Sequence, residues 1–576
     1  MTTHTFIPGK DASLESTIET MKAKLAERGF VLNESSLLHE VDGIWSTHMK
    51  DSKCPMLFSN GKGATELAAR ASAYGEFFER LGTHYFWTHF HLGETRANRP
   101  FVHYPHERWF PLPKGKGKGK KWPKDMLNAE LQKFYNPGDK IPLEVLVDLN
   151  SGNVARGVCT LPYKRLKDDA ETFIPVNIIG NLYVSNGMAA GNTLMEARTQ
   201  ALSEIFERAI KYRIIAEGLC LPEVPDDVIG RFPNIRAGID GLRKAGFGIL
   251  VKDASLGGKF PVMNVSLVHP KDQGIFSSYG AHPRFEIALE RAMTELLQGR
   301  ALDSLEGFPE PGFDMEEITA VNNLEIHFVD SSGVISWNFM GDTPDFPFAD
   351  WNFSTTTEED YNWLVNCIHG EGKDIYVADF SEQGAYSCRI LVPGMSEIYP
   401  VEDLEWENNS LGNALRPSLV RLHELTEAEC ASLLEEIQTM NVADERPLWE
   451  ILGLAIPDNT PWKQLRIGEL KTLLALAIGD EEEALEGCDW IHHFADLAPA
   501  RRLVYRCIES MLEIEGHVEN FRRSLVLLYG AETVRQAAAL LNRSERFFGL
   551  DTLGTDMQGS KMHQTLLAAY DKLFVP

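Results

Sequence analysis

Residues 183–208 read YVSNGMAAGNTLMEARTQALSEIFER: a short strand, a glycine turn and an amphipathic helix. The same order recurs in LFSNGKGATELAARASAYGEFFER (57–80) and in FSSYGAHPRFEIALERAMTELLQGR (276–300). A four-point pattern repeats on the helices: Ala69, Ala73, Glu76, Glu79; Ala197, Ala201, Glu204, Glu207; and Ala288, Ala292, Glu295, Gln298. Positions three or four apart share one helix face, so each helix presents an alanine stripe running into acidic groups. The alanines permit close approach, and the glutamates fall near one end.

Glutamates at such spacing on a single helix are usually solvated. Here the pair recurs in register on helices far apart in sequence. Its flanks are apolar (Phe77, Phe78, Ile205, Phe206, Leu296, Leu297), and arginines accompany it at Arg80, Arg208 and Arg291. Gathered carboxylates repel one another and hold protons more tightly unless cations neutralise them. Hard oxygen donors select Mg²⁺ or Ca²⁺, and Mg²⁺ completes its shell with water and phosphates. The five glutamates Glu76, Glu79, Glu204, Glu207 and Glu295 therefore point to more than one Mg²⁺ ion with a polyphosphate between them.

Around this core the 576-residue chain alternates β-rich runs, such as 175–179 and 262–268, with amphipathic helices as far as about residue 400. That mixture predicts an α/β or α+β domain. From about Leu425 successive Leu/Ala-rich helices follow, as at 467–477 and 531–541, and they are expected to form an inter-subunit or partner surface. The polar stretch holding Asn408, Asn409, Ser410 and Gly412 places a boundary near 405–425.

The net charge of −27 disfavours direct nucleic-acid binding and suits a basic nucleoprotein partner or a metal-bound triphosphate. The basic run Lys114, Lys116, Lys118, Lys120 and Lys121 reads as a solvated loop. Eight scattered cysteines without a CxxC pair suit reduced thiols and argue against zinc or iron–sulfur ligation. A polar N-terminus and the lack of a long apolar run predict a cytoplasmic protein with no membrane segment. There is no GxxxxGK[ST], HRD, DFG or GxGxxG motif, so any nucleotide site must be built from the repeated helices. Gly61-Lys62-Gly63 fits a tight turn as well as a phosphate loop, and the histidines at 84, 89, 91, 103 and 106 lack a helical metal-pair spacing.

These helices, together with IPGKD (7–11), GEFFERLGTHYF (75–86), LVPGMSEIYP (391–400) and the helical tail, resemble the YcaO family over essentially the whole chain. The resemblance implies an α+β ATP-binding domain over 1–410 and an all-α, TPR-like domain over 411–576. It implies ATP contacts from Lys10, Thr17, Glu76, Glu79, Asn192, Glu196, Glu207, Arg208 and Arg291, and Mg²⁺ ligation by Glu76, Glu79, Glu204, Glu207 and Glu295. Thr17 stands where a serine is expected and keeps the hydroxyl; Ala189 replaces a serine and loses it. Peptide-modifying members use ATP to activate a backbone amide, whose oxygen leaves as phosphate. The chain ends Lys572-Leu573-Phe574-Val575-Pro576, without the Pro-x-Pro-x-Pro tail of azoline-forming members. Within the family the likeness is to a stand-alone branch that assists β-methylthiolation of a small-subunit ribosomal protein, implying a ribosomal protein, a methylthiotransferase and a second copy of the chain as partners. The competing reading is a non-catalytic nucleotide-binding adaptor.

Overall fold

The computed structural model describes residues 4–113, 121–381, 383–514 and 517–574. Most of the lysine–glycine run, at 114–120, lies outside the described residues; Lys121 is exposed. Helix α1 (Leu14–Glu27) precedes an antiparallel sheet of β1 (Leu32–Val41), β2 (Ile44–Asp51) and β3 (Phe58–Gly63). Edge strand β3 leads into α2 (Glu66–Gly82). After β4 (Arg108–Phe110), β5 (Val158–Arg165) and β6 (Glu171–Pro175), strand β7 (Met188–Gly191) leads into α3 (Leu194–Ala216). Helix α4 (Pro233–Lys244) then precedes β8 (Gly248–Asp253), β9 (Val262–Val268) and β10 (Ile275–Ala281), and β10 leads into α5 (Phe285–Glu295). Helices α6 (Val321–Val329) and α7 (Thr357–Gly370) and strands β11 (Tyr376–Phe380) and β12 (Tyr386–Leu391) complete this mixed part. The second sheet runs β10-β9-β8 and the third β4-β5-β11-β12-β7, with β6 beside β5. Every pairing between these strands is antiparallel. The fold is α+β, as expected.

Each acidic helix thus follows an edge strand of a different sheet. Gly187 is a turn residue, with φ of 74°, but Gly61, Gly63, Gly191 and Gly280 are strand residues, contrary to the sequence reading. Gly61-Lys62-Gly63 is the end of β3, and the chain reverses at Ala64-Thr65. A Cβ on Gly61 would lie 2.0 Å from the Ala69 carbonyl oxygen and 2.5 Å from the Ala73 nitrogen. At Gly280 it would lie 2.4 Å from both the Ala288 oxygen and the Ala292 nitrogen. The strand glycine and the alanine pair are therefore one device that lets helix backbone rest on strand backbone. Thr65 and Thr193 cap α2 and α3 by accepting from the Ala68 and Glu196 nitrogens, each contributing about 1 kcal/mol.

The run at 175–179 is not a strand. β6 ends at Pro175, and 176–183 wind into helical turns whose Ile178, Leu182 and Tyr183 are fully buried. Tertiary burial on all sides overrides the β-branched preference. The polar stretch at 408–412 is not a solvated connector either. Asn408 and Asn177 exchange side-chain hydrogen bonds of 2.9 and 3.0 Å, and the Asn409 nitrogen donates to Asn181 Oδ1 at 3.1 Å.

Beyond Leu391 the described residues are helical or irregular. Helices α8 (Glu427–Met440), α9 (Ile467–Ile478), α10 (Glu481–Phe494), α11 (Pro499–Glu513), α12 (Val518–Tyr529) and α13 (Ala531–Leu541) enclose their own core. The last helix, α14 (Lys561–Asp571), returns to the first half of the chain. Its Leu566, Leu567 and Tyr570 share a core with Phe30, Phe77, Phe78 and Trp87, on the back of α2. Trp87 Nε1 donates to the Leu566 carbonyl at 3.1 Å, and Asp571 binds Arg96 and Arg99. Among the described residues no helix is long and apolar enough to cross a membrane.

Candidate functional site

The acidic faces of α2, α3 and α5 converge on a cleft of about 780 Å³, with Glu204 and Glu207 in the middle of α3 rather than at its end. All eleven residues singled out in the sequence line it: Lys10, Thr17, Glu76, Glu79, Asn192, Glu196, Glu204, Glu207, Arg208, Arg291 and Glu295. The N-terminal segment is tied to the start of α3 at one wall. Buried Glu196 accepts from Lys10 Nζ at 3.1 Å, from the Asp11 nitrogen at 3.0 Å and from Asn192 Nδ2 at 3.0 Å. Thr17 Oγ1 donates to Asn192 Oδ1 at 2.9 Å. The contacts of Lys10, Asp11 and Thr17 join residues 175 to 186 positions apart.

Deeper in, the glutamates are held by cations of the chain itself. Arg80 pairs with Glu76 and Lys62 with Glu295. Arg208 Nε donates to Glu204 Oε1 at 3.0 Å, and Arg291 Nη2 lies 3.8 Å from Glu207 Oε2. Glu79 is different: no cation pairs with its carboxylate among the described residues. Burial, followed by the charges of Glu204 and Glu76, pushes the Glu79 carboxyl well above the usual range. Burial also raises Glu204, although Arg208 opposes it. Lys62 is lowered to about 8, first by burial, while the surrounding glutamates act against that shift.

Sequence reasoning missed Gln200 and Lys211 and left Lys62 open between a tight turn and a phosphate loop; all three line the cleft. The helical spacing 196, 200, 204, 207, 208, 211 would have found the first two, since it continues one face of α3. Lys211 Nζ donates to the His327 carbonyl and, at 2.6 Å, to Ser331 Oγ. Ala189 points the other way. It is fully buried in the core beside Ala197 and Ala201, while its neighbours Ala190 and Gly191 line the cleft. The lost hydroxyl thus falls on a packing position.

The donor set fits Mg²⁺ with a polyphosphate. The acidic donors are all hard carboxylate oxygens, and the buried Arg291 Nε and Tyr279 hydroxyl have no hydrogen-bond partner. As the side chains stand, no three His, Cys, Asp or Glu groups among the described residues are placed to enclose a metal ion. Mg²⁺ needs only one or two carboxylates when phosphates and water supply the rest.

A cleft walled by three strand–helix repeats, rich in both carboxylates and guanidinium groups, defines a nucleotide-binding class without a P-loop. The chain belongs to the YcaO family: residues 60–396 match the model described as YcaO cyclodehydratase, ATP- and Mg²⁺-binding, and 412–575 match its C-terminal domain. It is 47% identical over 579 residues to the ribosomal protein S12 methylthiotransferase accessory factor YcaO of Escherichia coli K12, covering 99% of this chain and 98% of the relative. An uncharacterized Haemophilus influenzae protein is 45% identical over 585 residues, covering 100% and 98%. Among solved structures, YcaO from Methanopyrus kandleri bound with AMPPCP and Mg²⁺ superposes with a TM-score of 0.42 at 17% identity, covering 71% of this chain and 97% of that one.

Proposed function

We propose that the chain binds ATP with Mg²⁺ in the cleft and uses it to activate an amide of a protein substrate. The carrying observation is the convergence of all eleven sequence-assigned residues on one cavity. In this reading Lys10, Thr17, Asn192, Glu196, Arg208 and Arg291 hold the nucleotide, with Glu76, Glu79 and Glu207 reaching it through metal. Glu76, Glu79, Glu204, Glu207 and Glu295 hold Mg²⁺. Bound Mg²⁺ offsets the charge of the phosphates and the charge that develops in phosphoryl transfer. The chain's own part is electrostatic. Lys62, Arg80, Arg208 and Arg291 pair with Glu295, Glu76, Glu204 and Glu207, and with Mg²⁺ on those carboxylates the four cations would be free to meet phosphate. The amide step requires a nucleophile to add to the carbonyl carbon. The oxyanion then takes the γ-phosphoryl group, ADP is released, and phosphate departs with the former amide oxygen.

The name of the E. coli relative supports a small-subunit ribosomal protein as substrate and a methylthiotransferase as partner. A net charge of −27 suits a basic protein of that kind. The exposed Phe521, Leu527 and Leu528 of α12 support a homodimer formed through the C-terminal helices, a region from 411 onward in our division of the chain. Sedimentation as a monomer at micromolar concentration would remove the dimer from the proposal.

Calorimetric titration of ATP with and without Mg²⁺ tests the cleft, and affinity that ignores both Mg²⁺ and the Glu204→Gln substitution rejects it. Transfer of ¹⁸O from a labelled substrate amide into phosphate tests the chemistry. Substrate modified without that transfer would make the chain a nucleotide-binding adaptor for another enzyme.

A further inference from the structure

A smaller cavity of about 40 Å³ lies beneath the C-terminal end of α2, apart from the ATP cleft. Its wall includes Arg389 from β12, Tyr163 from β5, and His84 and Thr88 from the segment after α2. Three of the side chains lining it are buried and carry unpartnered polar atoms. Arg389 is 4% exposed and its Nε has no hydrogen-bond partner; Tyr163 is fully buried and its hydroxyl has none; His84 is 8% exposed and neither ring nitrogen has one. A buried guanidinium costs several kcal/mol unless an opposite charge or full hydrogen bonding offsets it. Among the described residues no carboxylate pairs with Arg389. Its Nη atoms reach only the Val184 carbonyl and the Met188 sulfur. The other charged groups in the wall do not help: His103 is already matched by Asp148, 3.6 Å away.

We propose that this cavity is a binding site for one small monovalent anion of halide size, held by the Arg389 Nε–H, the Tyr163 hydroxyl and an N–H of His84. The donors are those an anion needs, and a neutral His84 donates through whichever nitrogen carries its proton. The size sets the class. A water needs about 10–15 Å³ of such space, so the 40 Å³ here takes a halide with a water and excludes a phosphate. His84 also holds a left-handed backbone, with φ of 58°, at the residue after the α2 cap, where glycine is the usual choice. A side chain retained there at a conformational cost has work to do in the cavity it lines. The site would bind the end of α2 to β5 and β12 and so steady the helix that carries Glu76 and Glu79.

Crystals of the full chain grown in sodium bromide test this directly. We expect a bromine anomalous peak between Arg389 Nε and the Tyr163 hydroxyl, and its loss in Arg389→Gln. If that variant does not fold, Tyr163→Phe keeps the packing and should reduce the occupancy. It should also shrink the difference in melting temperature between chloride and gluconate at equal ionic strength. Bromide peaks on the surface with none in the cavity, together with an equal chloride–gluconate difference in wild type and Tyr163→Phe, would overturn the proposal and leave a cavity filled by water.

Discussion

The buried Glu469 of the C-terminal helices and the half-buried glutamates of the cleft are built in opposite ways. In the C-terminal helices Glu469 is fully buried, alone, and bound by Arg501 Nε at 2.6 Å and the Tyr505 hydroxyl at 2.6 Å. In the cleft, Glu76, Glu79, Glu204, Glu207 and Glu295 share one cavity, keep part of their surface open to it, and crowd one another. Glu469 is held through Oε1 by neighbours that cannot be removed without damage, while its Oε2 has no hydrogen-bond partner. The cleft glutamates are only provisionally satisfied by long cationic side chains. A buried pair is costly to break; an array with excess charge and room beside it is arranged to receive something.

The largest effect that would sharpen this contrast is expected at Arg501. Arg501→Ala leaves Glu469 charged and half-paired in a dry core, which should cost about 3–5 kcal/mol of unfolding free energy. Nucleotide affinity should stay unchanged at temperatures where the variant is folded. Replacing both partners by methionine should recover most of the loss, because no charge is then stranded. A loss below about 1 kcal/mol for Arg501→Ala, in the range of a surface pair, would put Glu469 in the same category as the cleft glutamates and break the comparison.

The reverse pattern is expected for Glu204→Gln. Removing one of several repelling carboxylates should leave the melting temperature unchanged or raise it, while Mg²⁺-dependent ATP affinity falls about tenfold or more, ~1.4 kcal/mol. Ala189→Ser should barely move that affinity, since the Ala189 methyl faces the core and not the cleft.

The difference between the two regions also decided how much of each was legible in sequence. The cleft was readable because a repeat places the same chemistry three times in register, so Glu76, Glu204 and Glu295 announce one another. Its cationic counterpart was half readable: Arg80, Arg208 and Arg291 sit beside the glutamates, but Lys62 comes from a strand and meets Glu295 only through the fold. Glu469 gave no signal, because its partners Arg501 and Tyr505 lie on the next helix but one and no repeat marks them. The glycines were placed in turns because glycine marks both turns and close backbone contacts; only the helix lying across Gly61 and Gly280 separates the two. The return of α14 onto Phe77 and Trp87 could not be read either, since an apolar helix face does not say which surface it covers.

The smallest effect, and the one most diagnostic of the cleft's unfinished charge balance, is in the pH dependence of stability without Mg²⁺. Lys211 and Glu79 line the same cavity, and burial is the leading cause of both their shifts, in opposite directions. Burial lowers the Lys211 ammonium from 10.5 to about 7, with the Arg208 charge adding to it. Between those values the folded protein binds fewer protons at Lys211 than the unfolded chain does. Its contribution therefore improves as pH rises from about 7 to about 10.5, and the penalty is fully present below 7. Glu79 runs the other way. Its raised affinity means that the folded state binds more protons above the ordinary value of 4.5, so its contribution is lost as pH rises from there through the folded value. Urea unfolding measured from about pH 5 to about pH 10 separates the two. Lys211→Met should flatten the alkaline rise and stabilise the protein near neutrality, whereas Glu79→Gln should flatten the fall on the acid side. An alkaline slope that survives Lys211→Met would mean that Lys211 is solvated and charged throughout, and that this end of the cleft carries no strain for a ligand to relieve.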